Sequence, residues 1–565
     1  MHMDSGPDVM WTTRNFGEAI PGVQTPLGLT FWVETSDVTL VRTTSDIGAV
    51  AASRANPSGT ADERFMGMFY GRMAGNISRF RDLADRMPGS SGDSFEEQIF
   101  GMVRSGERNR PRRARYPITA VKMPYAAWRS SRAQRRDRVE LDRWWTAVVA
   151  DPPTGLDAAR GLFDEACRRF QPVIGAHGLI TMMAQGCYEQ VSRLATLAGM
   201  PGAEAELITG YGGLEETLLL SDLWRVAREG ASLEEFVRRH GSHGSSSGDL
   251  SRPSWREDRG QVESLLEAYR SLPESERPEQ RQRRQVESRR STELRLLAGL
   301  PRWRRPLARA ALKGAAYFVP LRETGKTAYI QAIDVARLGA RVAGRELARA
   351  GVIEAADDVF FFTRAELAGT LPTDAAAVIE ARKQFYRECQ LVRLPDYWKG
   401  VPEPLPLEVP AEHRDGPVTL RGIGVAPGVV VGTARVVRDS EEDQLQPGEI
   451  LVCETTNPSW VTLFLVAEAM VIDIGGVISH GAIAARELGI PCVINTRDGT
   501  RLLRTGDLIR VDGSTGVVTV LDRAVTREPV VPEPVVPEPV VPEPVVAEPV
   551  VAETVSEPEQ REAIS

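Results

Sequence analysis

Residues 469–491 constrain this chain more than any other stretch. Ala469-Met470-Val471-Ile472 is a short apolar run that reads as a buried strand. Gly475-Gly476 then permits a tight turn, because glycine adopts unusual dihedrals without steric cost. From Ser479 the sequence reads as a helix, with Ala482, Ile483 and Leu488 available for packing; Gly489 closes it and Pro491 prevents its continuation. Strand, turn and helix in so short a span make one unit of an α/β layer. Ser479 is placed to cap the helix, its hydroxyl accepting from an unpaired N–H of the first turn. His480 therefore stands at the positive end of the helix dipole. There the imidazolium is disfavoured, so the ring stays neutral and nucleophilic. The free N–H groups and bare glycine backbone can also receive an anion. A nucleophilic histidine beside an anion site suggests a phosphoryl group carried covalently on histidine. The competing reading is a histidine that merely caps an α/β helix.

The pattern Gly-Gly-x-x-Ser-His-x-Ala-Ile-x-Ala-Arg-Glu-x-Gly-Ile-Pro, here Gly475 to Pro491, resembles the signature of the swivelling phosphohistidine domain of PEP-utilising enzymes. The Ser-His-Gly-Ala-Ile form is most similar to the rifampicin phosphotransferase and phosphoenolpyruvate synthase-like group. The resemblance implies that His480 is the phosphorylated residue, that Gly475, Gly476, Ser479 and Gly481 shape its loop, and that Arg486 is a phosphate or contact residue. A solvated helix face is the alternative for Arg486. Flanking landmarks extend the likeness. They are strands at Gly432–Val437 and Gly448–Val452, a short helix after Trp460, and a closing hairpin of Asp507–Gly513 with Gly516–Val520.

The rest of the chain is organised around that module. The expected fold is multi-domain: a large, mainly α-helical N-terminal domain over 1–394, a proline-rich linker over 395–418, the α/β swivelling domain over 419–523, and a low-complexity, disordered tail over 524–565. Prolines at 402, 404, 406, 410 and 417 keep the linker extended, which suits a domain that moves between stations. The tail repeats Glu-Pro-Val-Val-Pro and cannot build a core. From about residue 60 the spacing of Met66, Phe69, Tyr70, Met73, Ile77 and Phe80 predicts an apolar helix face. The run from Val173 to Leu197 predicts a long helix on which His177 is a satisfied core histidine. Ser232 opens another helix through a capping box. Arginine-rich stretches at 100–138 and 272–305 read as solvated faces with i, i+4 pairs.

Composition narrows the function classes. A net charge of −8 gives no general case for nucleic-acid binding. No apolar run reaches membrane-spanning length and no signal peptide is evident. Five scattered cysteines without a C-x-x-C pair predict reduced thiols in a cytoplasmic protein. His240, His243 and Asp249, in a glycine- and serine-rich loop, are too few and too loosely spaced for a metal site, so no metal is expected. That loop and Pro253-Ser254-Trp255-Arg256-Glu257 resemble the family's substrate domain, though Ser242 and Ser245 to Ser247 depart from its pattern.

Candidate acceptor-binding residues are Arg14 and Glu18, in a turn-rich N-terminal segment, and Arg322, Glu323 and Lys326. The last three resemble the family's Arg-Glu-x-x-Lys element, with an Arg and a Lys four apart near an expected helix start, able to clamp a phosphate or carboxylate. The alternatives are a packed arm and a helix-end ion pair. No pattern for an ATP-grasp domain, a TIM barrel or a Walker loop occurs in the chain. The resemblance therefore implies a split system. A separate ATP-grasp protein, holding ATP and Mg²⁺, phosphorylates His480; this chain binds no cofactor of its own and passes the group to a small-molecule acceptor. The other hypothesis is a non-catalytic binding or regulatory protein that kept the fold without the donor.

Overall fold

The computed structural model describes residues 3–524 except 15, 17–19, 21, 55–59, 89, 97–102, 104–111, 212–214, 245, 407–417, 438–444, 457–459, 465 and 478. The side chains of residues 54, 61, 94, 216, 268, 276, 461, 462, 480 and 487 are likewise outside that description, and so is the tail from 525.

The N-terminal region is mainly helical. Strand β1 (Met10–Thr12) leads to helix α1 (Pro26–Asp46), hairpin strands β2 (Met66–Phe69) and β3 (Arg72–Asn76), and helix α2 (Ile77–Ala84). Then come α3 (Tyr116–Ala150), α4 (Leu156–Leu197), α5 (Glu215–Arg228), α6 (Leu233–His240), α7 (Gly260–Ser271), α8 (Pro278–Gly299), α9 (Arg305–Arg349) and α10 (Ala375–Gln390). Strand β4 (Tyr397–Lys399) returns to pair antiparallel with β1, Trp11 opposite Trp398, and closes a small sheet ordered β2-β3-β1-β4.

The axis of this region is α9, a 45-residue helix buried almost continuously from Ala328 to Ala340. That stretch is mostly apolar, and the polar residues buried in it are paired, Gln331 with Asp142 and Asp334 with Arg337, so it can lie inside a core. It packs along α4, with α1 and α3 alongside, and the shared core holds Phe31, Trp32, Phe163, Phe170 and Ile333. Phe31 and Phe170 lie 4.8 Å apart between ring centroids, and Trp32 meets Phe170 edge-on at 5.1 Å.

Two local expectations are corrected. Residues 66–76 form a hairpin and not a helix. Tyr70 and Gly71 both adopt positive φ (47° and 69°), the pair of left-handed residues that a two-residue type I′ turn requires. The apolar spacing across that turn imitates a helical stripe; pairing of β3 with β1, Trp11 opposite Asn76, settles the matter. Second, Arg322 and Lys326 lie in the middle of α9 and not near its start. Pro320 sits inside the helix, where the sequence alone would place a helix beginning.

The C-terminal region is an α/β layer. Its strands are β5 (Thr419–Arg421), β6 (Ile423–Ala426), β7 (Val429–Val437), β8 (Glu449–Cys453) and β9 (Ala469–Ile472). Helix α11 (His480–Leu488), strand β10 (Cys492–Ile494) and hairpin strands β11 (Leu508–Asp512) and β12 (Val517–Asp522) follow. The sheet order is β5-β12-β11-β7-β8-β9-β10-β6; β7 to β10 run parallel, and the strands on either side are antiparallel. Strand β9 is buried at every position, as a parallel central strand must be. The mostly helical N-terminal region followed by an α/β region agrees with the multi-domain expectation. The disordered tail lies outside the described residues, as do linker positions Pro410 and Pro417.

Candidate active site: an arm helix facing a polar-ended cavity

The arm helix forms as its sequence dictates. After β9 the chain turns through Gly475 and Gly476, and the N–H of Ser479 donates to the Gly476 carbonyl at 2.8 Å. Ser479 Oγ accepts from the N–H of Ala482 at 3.3 Å, and Gly489 ends the nine-residue helix in the left-handed conformation at φ 67°. His480 is thus the first residue of α11; its side chain lies outside the described residues. Gly481 is required by contact: a Cβ there would stand 2.6 Å from Thr456 Oγ1 and 2.7 Å from Ile472 Cδ1. The helix consequently lies directly on the sheet. Removing the cap by Ser479→Ala should cost about 1 kcal/mol of C-terminal-region stability, read as a lower urea midpoint with unchanged slope; an unchanged midpoint would mean the cap bond contributes nothing.

Arg486 is neither solvated nor free. It is buried at 5% exposure, its Nε donates to the Ala482 carbonyl at 2.9 Å, and a second guanidinium nitrogen donates to the Val477 carbonyl. It ties the loop before His480 to the helix after it.

The helical region holds a cavity of about 460 Å³. Its walls are apolar and rich in aromatic and methionine side chains: Phe16, Trp32, Met66, Met73, Phe80, Met123, Met182 and Met183. One end is polar, where His177, Gln185, Arg322 and Lys326 converge from α4 and α9. Glu323, 2% exposed, holds both of these α9 cations, with Arg322 Nη1 at 3.0 Å and Lys326 Nζ at 3.8 Å. The hairpin that replaced the expected helix supplies Met66 and Met73 to this wall.

His177 lines the cavity instead of sitting in a closed core. Its ring meets Tyr329 edge-on at 5.2 Å, and its Nδ1 is buried with no hydrogen-bond partner among the described residues. Burial first, then the Arg322 and Lys326 charges, push its pKa down to about 3, although the Arg322 main chain favours a proton on the ring. The ring is therefore neutral at physiological pH.

The arm helix and the cavity meet at Arg322. A small pocket between the two regions is lined by Tyr188 and Arg322 on one side and by Ile483 and Arg486 on the other. Gln285 on α8 donates to the Arg486 carbonyl at 2.8 Å across the same seam. Arg14 lies at another point of the seam. It donates to Asn495 Oδ1 at 3.1 Å, pairs with Asp396 at 2.5 Å, and stacks over Tyr397 at 5.4 Å. Of the candidate acceptor residues, then, Arg322, Glu323 and Lys326 come together at the cavity end, and Arg14 stands apart from them. Glu18 lies outside the described residues. Sequence reasoning missed His177, Tyr329 and Trp32 as cavity residues. A usable signal was present: His177, Thr181, Gln185 and Glu189 recur every four residues, a polar stripe along one face of α4.

His240 is engaged with Asp222, Nε2 to Oδ2 at 2.9 Å, and His243 packs on Trp255 at 5.5 Å. No group of three or more potential ligands capable of holding a metal occurs among the described residues. Arg256 and Glu257 point their charges at Asp334 and Arg341 of α9, so this loop's ionic contacts go to the helix. No helix among the described residues is long and apolar enough to cross a membrane.

A strand–turn–helix headed by Ser-His, on a parallel sheet and apposed to a helical cavity, defines a class, and comparison with known proteins agrees. The model of the PEP-utilising enzyme mobile domain matches residues 445–516, and that of the rifampicin phosphotransferase fourth domain matches residues 188–323. The resemblance carried by Gly475 to Pro491 is thereby upheld.

Individual relatives bear the same stamp. A rifampicin phosphotransferase of Streptomyces sviceus is 30% identical over 358 residues, 60% of this chain and 41% of that one. An uncharacterized phosphotransferase of Bacillus subtilis is 39% identical over 193 residues, covering 32% and 23%. An uncharacterized protein of Mycobacterium tuberculosis is 39% identical over 211 residues, covering 37% and 24%. The chain thus spans 23% to 41% of the length of these relatives.

Proposed function

We propose that this chain is the carrier and acceptor half of a histidine phosphotransferase. His480 takes a phosphoryl group from an ATP-grasp protein that holds ATP and Mg²⁺, and delivers it to a small molecule bound in the 460 Å³ cavity. In the donor step ATP and water yield AMP, with the β-phosphate reaching the histidine and the γ-phosphoryl group passing to water as inorganic phosphate. In the acceptor step the phosphoryl group leaves the imidazole for an acceptor oxygen. Such a transfer depends on alignment and charge neutralisation more than on covalent assistance from the protein. Arg322 and Lys326 supply the neutralising charge, and Glu323 fixes their positions.

The observation that carries this reading is the shared arginine. Arg322 lines the acceptor cavity and also the small pocket against the helix that His480 begins. A docked arm therefore delivers its cargo where two cations wait. The relatives named phosphotransferases support the reaction class.

The test is direct. Full-length protein is incubated with an ATP-grasp donor protein and ATP labelled at the β-phosphate. Acid-labile, base-stable label is expected on the chain and is absent from His480→Ala. Label persisting in that variant, or no label with any ATP-grasp donor, would reject the proposal.

A further inference from the structure

Glycine inside a helix is destabilising relative to alanine, so an interior glycine calls for a reason. On the two long helices around the cavity, packing supplies most of the reasons. A Cβ at Gly325 of α9 would come within 2.5 Å of Gln134 Nε2 and 3.0 Å of His177 Nδ1, so the bare position lets the helices close together there. One at Gly339 would stand 3.1 Å from the Phe163 nitrogen, and one at Gly175 of α4 would strike Thr39 of α1. Two other glycines of α4 have no such neighbour. A Cβ at Gly178 would meet only Leu40 Cδ2, at 3.9 Å, and one at Gly186 would meet nothing within 4 Å. Both glycines line the cavity, and so does Leu40. At 3.6 residues per turn, Gly178 shares a face of α4 with Ile174, Met182 and Gln185, which line the cavity as well. Gly178 thus leaves bare main chain in the middle of the cavity wall that α4 provides.

We propose that Gly178 sets the width of the acceptor site. Its missing side chain lets a broad, rigid ring system lie against the main chain of α4, and a methyl group there would stand in the space taken by the acceptor's body. This rests on the carrier reading above and deepens it, by naming apolar acceptors with a ring body as the class admitted. A ring system cannot bend around a methyl group, whereas a single alkyl chain can. Gly161, on the same helix, supplies the contrast. It too has nothing within 4 Å of an added Cβ, but it is exposed and does not line the cavity.

The role is tested by making one substitution at both places. Full-length wild type, Gly178→Ala and Gly161→Ala are unfolded in urea and titrated with N-phenyl-1-naphthylamine. Neither readout involves His480, so failure here is distinct from failure of that residue to be labelled. Alanine should raise the urea midpoint at both positions, because each gains helix propensity and neither meets a close neighbour. Probe affinity should fall about five-fold or more in Gly178→Ala, the range for overfilling a packed site, and stay at the wild-type value in Gly161→Ala. A firmer fold with weaker binding is a pair of changes that a purely structural glycine would not give. 1-Decanol, no wider than one alkyl chain, should separate wild type from Gly178→Ala by less than the ring probe does. Unchanged affinity for the ring probe in Gly178→Ala would overturn the proposal. So would a lowered urea midpoint in that variant, an equal loss of both probes, an equal loss of the ring probe in Gly161→Ala, or no binding of the ring probe by wild type.

Discussion

Asp334→Ala is expected to destabilise the helical region by about 3–5 kcal/mol, the cost of leaving buried charge without its partner. Asp334 is completely buried on α9 and accepts from three side chains. Trp145 Nε1 donates at 2.8 Å, Arg337 Nη1 at 2.8 Å and Arg256 Nε at 3.2 Å. Burial opposes its ionisation, yet Arg256 and Arg337 outweigh burial and hold its pKa below the ordinary carboxylate range. Arg337 is itself 1% exposed and donates to the Asp249 carbonyl at 2.9 Å, so the loop at 247–256 is fastened to α9 through this carboxylate. Removing it leaves the buried Arg337 guanidinium without a carboxylate and leaves the part-buried Arg256 to Glu257 alone. Asp334→Asn keeps an acceptor for Trp145 and should lose less. The measurement is urea unfolding followed by tryptophan fluorescence; a midpoint for Asp334→Ala within error of wild type would refute the account. The sign with pH follows from the depressed pKa. The contribution is fully present above the unfolded carboxylate range and is lost as pH falls through the folded value, so acid unfolding of wild type should narrow its gap to Asp334→Ala.

Arg322→Gln should weaken binding of an apolar anion by about ten- to one-hundred-fold, the range for losing one charge-assisted hydrogen bond in a water-poor site. The probe is 8-anilino-1-naphthalenesulfonate, whose rings suit the methionine and aromatic wall and whose sulfonate suits the polar end. N-phenyl-1-naphthylamine, the same rings without the anion, should bind both proteins alike. Equal loss of both probes would mean a collapsed cavity and not a missing charge. The change should leave labelling of His480 intact, because Arg322 belongs to the acceptor side of the seam. Glu323 is the reason a single substitution suffices: with Arg322 gone, the buried carboxylate is left to Lys326 alone, and the net field at the cavity end turns less favourable to an anion.

The C-terminal module was legible residue by residue. The strand expected at Ala469–Ile472, the cap at Ser479 and the stop at Gly489 all occur where the residues place them. Local chemistry decides each: an apolar run too short for a helix, a hydroxyl opposite an unpaired N–H, a glycine where φ turns positive. The Ser232 cap is equally local, its side chain accepting from the Glu235 N–H at 3.3 Å. The helical region was legible as helical but not as a site. Through residues 66–76 the apolar spacing alone points to a helix, and only the pairing of β3 with β1 and β2 shows the hairpin.

What the sequence determined by itself was the arm: its strand, its turn, its capped helix and the histidine that begins it, since those depend on contacts a few residues apart. What only the tertiary structure decided was the cavity and its polar end. His177 and Arg322 are brought together by the crossing of two long helices at a glycine, and Arg322 and Arg486 by docking of one region on another. Those approaches are set by packing at long range, where spacing along the chain carries no information about distance.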